Sequence, residues 1–187
     1  MRKFREILVG LVSFSALAQA QSSGFQHYKN SLAPYVVSPQ AIVDRMLEIA
    51  DLKAGETLYD LGSGDGRILF RAAQRFHAKA VGVEISARLV KSTNEGIIRS
   101  NLQNLASVIH GDLLQVDLSP ADVVTVYLMT NSNEILRPNL EKYLKPGARV
   151  VSHEYAVPGW KAKYVEKAEP YARGHMIYLY VMPAERK

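Results

Sequence analysis

Apolar and polar positions alternate along the chain in two distinct periods, and the switches between them mark the elements. Residues 39–51 carry Ile42, Val43, Met46, Leu47 and Ile49 at helical spacing, with Ser38 as the expected N-cap and Pro39 at the first helical position. A short apolar run follows from Thr57, with Leu58 and Leu61 around Tyr59, which suits a buried strand. After Arg67 the period returns to helical, with Ile68, Leu69, Ala72, Ala73 and Phe76 inward. Residues 78–83 predict a second strand, 87–101 a helix with Leu89, Val90, Ile97 and Ile98 inward, and 106–110 a third strand. The β-branched run at 121–128 predicts a fourth strand, 135–144 a helix with Pro138 near its start, and 149–155 a fifth strand.

Then the rhythm changes. Val157, Pro158, Gly159 and Trp160 form a corner, residues 162–167 and 176–182 alternate, and 170–174 joins them. That is a hairpin rather than another strand-helix step. The expected fold is α/β, with a mostly parallel sheet closed by a C-terminal antiparallel hairpin, in one domain over residues 34–187. The stretch after the fifth strand is too short for a full helix. The sheet there is either left bare or covered by the N-terminal helix or a partner.

The first residues follow another logic. Arg2, Lys3 and Arg5 precede a mostly apolar run from Ile7 to Ala18, and Ala18-Gln19-Ala20 matches a small-x-small cleavage site. The run is too short to span a bilayer core of ~30 Å as a helix. Residues 1–20 are therefore expected to be a signal peptide exporting the chain to a periplasm or the exterior, with a membrane anchor or a cytoplasmic leader as alternatives. Membrane association is expected only through this segment. Residues 21–33 are polar and patternless, and are expected to be a linker.

Chemistry concentrates where the first strand breaks. Residues 57–67 spell T-L-Y-D-L-G-S-G-D-G-R, with glycines at 62, 64 and 66. Strand, glycine loop and helix together present backbone N–H groups and a helix N-terminus to a ligand. The dinucleotide pattern is G-x-G-x-x-G, and position 67 is Arg. Asp60 before the loop and Asp65 within it repel a pyrophosphate and attract a cation. Glu84 stands at the tip of the second strand, eighteen residues after Gly66, where a ribose diol is gripped. The candidate binding set is Asp60, Gly62, Ser63, Gly64, Gly66 and Glu84. Asp112 and Leu113, at the exit of the third strand, and Tyr35 complete it.

The loop resembles the first motif of the class I S-adenosylmethionine (SAM) methyltransferases. The motifs P-Y-V-V-S-P, Y-D-L-G-S-G-D-G-R-I, N-E-I-L-R-P-N-L-E and V-S-H-E-Y-A-V-P-G-W narrow the likeness. They resemble a small protein-lysine methyltransferase group, which includes broad-specificity archaeal enzymes and mitochondrial ones acting on ATP synthase or carrier proteins. The resemblance covers residues 34–160. It implies a Rossmann-like sheet whose last strand is inserted antiparallel, SAM as cofactor, Asp112 facing the adenine amino group, and a protein that presents lysine. An exported SAM enzyme needs a supply of SAM outside the cytoplasm.

Methyl transfer from a sulfonium needs an in-line, desolvated nucleophile and no covalent or metal residue. A lysine amine, with a free pKa of about 10.4, must first lose its proton, which a dry pocket beside a cation favours. Tyr127, Asn131 and Glu154 stand where their oxygens could orient such an amine. Each has a plainer use: Tyr127 packing on adenosine, Asn131 capping a helix, Glu154 pairing with a Lys or Arg. His153 is expected to be a satisfied strand-end histidine and Trp160 a cover for the sheet. Tyr35, ahead of the first helix, is placed to pass over the bound cofactor as part of a lid.

Composition narrows the rest. The 187 residues are 48% hydrophobic, enough for a sizeable core. The net charge of +5 falls by 2, to +3, without residues 1–20, and no arginine-rich run points to nucleic acid. There is no cysteine, and His27, His77 and His175 are scattered in sequence, so no metal site is expected. Two further functions stay open: a small-molecule or lipid methyltransferase at the membrane, and a SAM-binding envelope protein without catalysis.

Overall fold

The computed structural model of the protein describes residues 31–168 and 174–187. The expected signal peptide, most of the linker, His27 and the greater part of the 170–174 connection lie outside them. The chain order is α1 (Gln40–Ile49), β1 (Thr57–Leu61), α2 (Arg67–Phe76), β2 (Lys79–Glu84), α3 (Ala87–Arg99), β3 (Ala106–His110), β4 (Val123–Val126), α4 (Thr130–Tyr143), β5 (Arg149–His153), β6 (Tyr164–Ala168) and β7 (His175–Val181).

These strands form one sheet ordered β3-β2-β1-β4-β5-β7-β6. Neighbours from β3 to β5 pair parallel, and β7 pairs antiparallel with both β5 and β6. The order reverses beside β1. The carboxyl ends of β1, β2 and β4 therefore open onto a crevice, where ligands bind in open α/β sheets. The expected C-terminal hairpin is present, with its second strand inserted between β5 and β6.

Strand interiors alternate between two cores. On one face Ile42, Val43, Met46 and Leu47 of α1 pack with Leu58, Leu69, Val123, Val151 and Ile177. The N-terminal helix thus covers the sheet where no helix follows β5. Arg45 of α1 also donates to both carboxylate oxygens of Glu166 on β6, at 2.7 and 2.6 Å. On the other face Leu136 and Leu140 of α4 pack with Val124, Val126, Val150, Trp160 and Tyr180. Trp160 is fully buried, donates from Nε1 to Glu141 at 2.7 Å, and meets Tyr180 edge-on. It covers the sheet, as expected. Each fully buried aliphatic side chain stabilises this arrangement by ~1.5–3 kcal/mol.

Three local expectations are corrected. Ser38 does not cap α1: Pro39 is the N-cap and no side chain caps the helix. The Ser38 hydroxyl is instead 3.0 Å from His153 Nδ1. In α3, Ile98 is exposed, and Thr93 joins Leu89 and Ile97 on the buried face. Helix α4 starts at Thr130, five residues before the expected start, and Pro138 lies inside it. Ser132 and Asn133 look like loop residues but are buried with hydrogen-bond partners, so helix can run through them.

Candidate active site

The glycine loop leaves β1 and enters α2 through three left-handed glycines, with φ of 84°, 54° and 77° at Gly62, Gly64 and Gly66. Two of them are also sterically required. A Cβ on Gly64 would stand 2.6 Å from the Tyr35 ring, and one on Gly66 would stand 2.5 Å from Thr93 Cγ2. Gly66 is the N-cap of α2, and its N–H donates to Ser63 O at 2.9 Å, closing the loop on itself. The Ser63 hydroxyl is buried without a hydrogen-bond partner.

Glu84 holds this loop from the next strand. One carboxylate oxygen accepts from Gly64 N and the other from Ser86 N, each at 2.8 Å. The carboxylate is therefore fixed at the tip of β2, beside the turn where α3 begins. Asp60, at the end of β1, is also buried and accepts from the Thr125 hydroxyl at 2.8 Å. Burial pushes its pKa up to about 7, and the neighbouring Glu84 and Asp65 charges push the same way. Asp65 differs. Arg67 donates to both its oxygens and keeps its pKa below the usual carboxylate range. The same guanidinium donates from Nη1 to Ser38 O at 2.6 Å, tying the loop to the chain ahead of α1.

That leading segment crosses the crevice. Tyr35 rests on Gly64 and stays 44% exposed, and its pKa is raised by burial and by Asp65. The last residues of the expected linker dock rather than hang free. Leu32 O accepts from the Ser132 hydroxyl, and Ala33 packs on the core. Asp112 stands at the exit of β3, with one oxygen accepting from Leu114 N at 2.9 Å in a turn, and Leu113 is half-buried beside it.

The expected acceptor residues do not all converge. Tyr127 and Glu154 meet beyond the ends of β4 and β5. Tyr127 packs 4.1 Å from the His153 ring, and its pKa is raised by burial and then by Glu154 and Tyr155. Asn131 is exposed on the first turn of α4 and is not its N-cap, which is Met129. The buried asparagine is Asn133, whose Nδ2 donates to Leu128 O and Tyr155 O at 3.2 and 3.1 Å. Its position in the N-E-I-L-R-P-N-L-E motif is the signal that could have singled it out. Among the described residues Glu154 pairs with His175 and not with a Lys or Arg. His175 is not scattered: its Nδ1 lies 3.0 Å from His153 Nε2. His153 itself is fully buried, and burial, aided by His175, pushes its pKa down to about 3, so it is neutral.

A closed loop of backbone donors, a carboxylate at the β2 tip and a cation-attracting Asp60 define the class: a Rossmann-like, SAM-dependent methyltransferase. The unpartnered Ser63 hydroxyl and the acidic pair Asp60 and Glu84 fit a ligand bearing an ammonium and a diol. Comparisons with known proteins agree. The model of the ANTKMT methyltransferase domain matches residues 60–164. A protein-lysine N-methyltransferase of Saccharolobus islandicus is 48% identical over 80% of this chain and 93% of its own length. The mouse adenine nucleotide translocase lysine N-methyltransferase is 31% identical over 81% of this chain and 66% of its own. A solved structure described as an RNA methyltransferase from Salinibacter ruber, in complex with S-adenosyl-L-homocysteine, is 41% identical, covers 81% of this chain and 97% of that one, and superposes with a TM-score of 0.76. The chain belongs to the ANTKMT methyltransferase domain family.

Proposed function

We propose that the protein transfers methyl groups from SAM to lysine side chains of proteins. One observation carries this reading: the carboxyl edge beyond β4 and β5 is open. Only residues 127–129 separate β4 from α4, and ten residues separate β5 from β6. Among the described residues no helix roofs the acceptor side, so a side chain on a folded protein can enter. The names of the archaeal and mouse relatives support the same acceptor.

Bound SAM supplies a methyl already activated on a sulfonium. The chain's own residues do the rest. Glu84 accepts hydrogen bonds from a ribose diol while keeping the loop closed through Gly64. Asp60 and the loop backbone receive the amino-acid end, and Tyr35 shields that side from water. Asp112 and Leu113 flank the base. Tyr127 and Glu154 orient the incoming amine. Asn133 fixes the backbone at Leu128 and Tyr155 beneath them, and exposed Asn131 is left for the rim that meets the protein substrate.

Residues 1–20 are proposed to export the chain, a reading supported by the basic head, short apolar run and Ala-Gln-Ala site. Among the described residues no helix is long and apolar enough to cross a membrane. Mass spectrometry of the native protein should then find an N-terminus at Gln21. An intact Met1 or Arg2 terminus would sink the export reading.

The Salinibacter protein is described as an RNA methyltransferase, and that description favours RNA as a second acceptor. Labelled SAM and a cell lysate separate the two. Protein-lysine transfer predicts label destroyed by protease and resistant to ribonuclease; the reverse pattern would overturn it.

A further inference from the structure

Beyond methyl transfer, Glu154, which is proposed to orient the amine through one oxygen, also joins two histidines that the reaction does not require. His153 Nε2, His175 Nδ1 and Glu154 Oε1 converge on one point at the carboxyl end of β5, all within 4.8 Å of one another. His153 Nε2 lies 3.0 Å from His175 Nδ1 and 3.6 Å from Glu154 Oε1, and the His175–Glu154 pair is closer still. We propose that these three side chains bind a divalent transition metal, zinc foremost.

Zinc bonds of ~2.0–2.2 Å set neighbouring tetrahedral donors about 3.3–3.6 Å apart. The 3.6 Å between His153 Nε2 and Glu154 Oε1 matches that spacing, and the two shorter contacts of His175 would open as its ring swings to admit an ion. Two imidazoles and a carboxylate are ligands that zinc accepts, with a fourth position left for water. The contacts point the same way. Ser38 occupies His153 Nδ1, 3.0 Å away, and Nε2 faces His175 Nδ1. His175 Nδ1 contacts both His153 Nε2 and Glu154, and a single ring proton cannot be aimed at both, whereas one cation serves all three.

The surroundings are built to hold the ligands. Ser38 backs His153 as an outer partner, the arrangement that fixes the ring of a metal-binding histidine. Tyr127 packs on the same ring. His153 pairs with Ile177 across the β5–β7 ladder, which sets His175, two residues before Ile177, on the same face of the sheet. Glu154 takes a left-handed backbone, φ 65°, uncommon for a residue with a side chain. Strain of this kind persists where the surroundings demand it, and here the turn leaves the carboxylate against both histidines. A bound ion would clip the lead-in to α1, the end of β5 and the start of β7 together.

The test uses the untagged chain, stripped with a chelator and titrated with Co²⁺ and then Zn²⁺. The proposal expects one equivalent of Co²⁺ with visible d–d bands, displaced by Zn²⁺, and a rise in melting temperature on loading. His175→Ala should weaken binding at least ~100-fold, the upper range for losing even an outer partner. His175→Cys, which keeps a zinc ligand, should retain Zn²⁺ binding, and His110→Asn should bind as the parent does. Circular dichroism checks that each variant is folded. Absence of saturable binding of either ion would overturn the proposal and leave an ordinary histidine–carboxylate pair. Equal binding by folded His175→Ala would do the same.

Discussion

The Tyr35 ring lies against the bare backbone of Gly64, so close that a Cβ on that glycine would stand 2.6 Å from Tyr35 Cε2. A residue ahead of the first helix and a residue after the first strand thus form one wall of the crevice proposed to hold SAM. A cation–π contact between the Tyr35 ring and a bound sulfonium would contribute ~0.5–2 kcal/mol. Tyr35→Phe should therefore cost little SAM affinity and Tyr35→Ala several-fold, as read by calorimetry. Proteolysis between residues 21 and 37 should slow when SAM is added. Unchanged affinity in Tyr35→Ala, together with cleavage indifferent to SAM, would make the segment a passive connection.

Glu84 has two duties, and its variants should reveal both. Removing the carboxylate leaves Gly64 N and Ser86 N without their acceptor. Hydrogen bonds to a charged group contribute ~1.5–3 kcal/mol each. Glu84→Ala should lower stability measurably in urea and weaken SAM binding at least about tenfold. A variant with parental affinity would remove Glu84 from the site.

Asp60 predicts an unusual pH dependence. Its folded pKa is raised from 3.8 to about 7, so the folded state holds a proton that the unfolded chain has released. The associated stability is fully present below pH ~4 and is lost as pH rises towards ~7. Asp60→Asn should flatten that decline in SAM-free protein. A cationic ligand favours the ionised form, so SAM binding should tighten from pH 6 to 8 in the parent and change less in Asp60→Asn. Calorimetry in buffers of different ionisation enthalpy should detect the released proton; identical pH profiles for parent and variant would contradict this.

The two asparagines of α4 should behave oppositely. Asn133→Leu strands Leu128 O, while Tyr155 O keeps the Ser152 hydroxyl, and an unsatisfied buried group costs ~1–3 kcal/mol. Exposed Asn131→Ala should change stability by less than ~0.5 kcal/mol. Urea unfolding of the pair checks this, and equal losses would mean that the burial difference is immaterial.

These asparagines also show where sequence reasoning stops. The alternation of periods and the glycine loop are local patterns, and they suffice for the parallel strands, the C-terminal hairpin and the loop between β1 and α2, whereas the insertion of β7 between β5 and β6 is legible only through the family resemblance. The start of helix α4 is not local, because buried polar residues look like loop until their partners are known. Ser132 and Asn133 find theirs in Leu32 and Tyr155, 100 and 22 residues away. Ser38 looks like a cap because the sequence does not reveal His153 behind it, 115 residues on. His175 looks isolated because only the β5–β7 register brings it to His153 and Glu154.

The central claim is that the methyl group reaches a lysine ε-amine. It is tested most directly by incubating the purified chain with labelled SAM and protein acceptors, hydrolysing the protein fraction and separating its amino acids. The account predicts label in methylated lysine, lost with Glu84→Ala. Label in any other residue, or in nucleic acid alone, would contradict it.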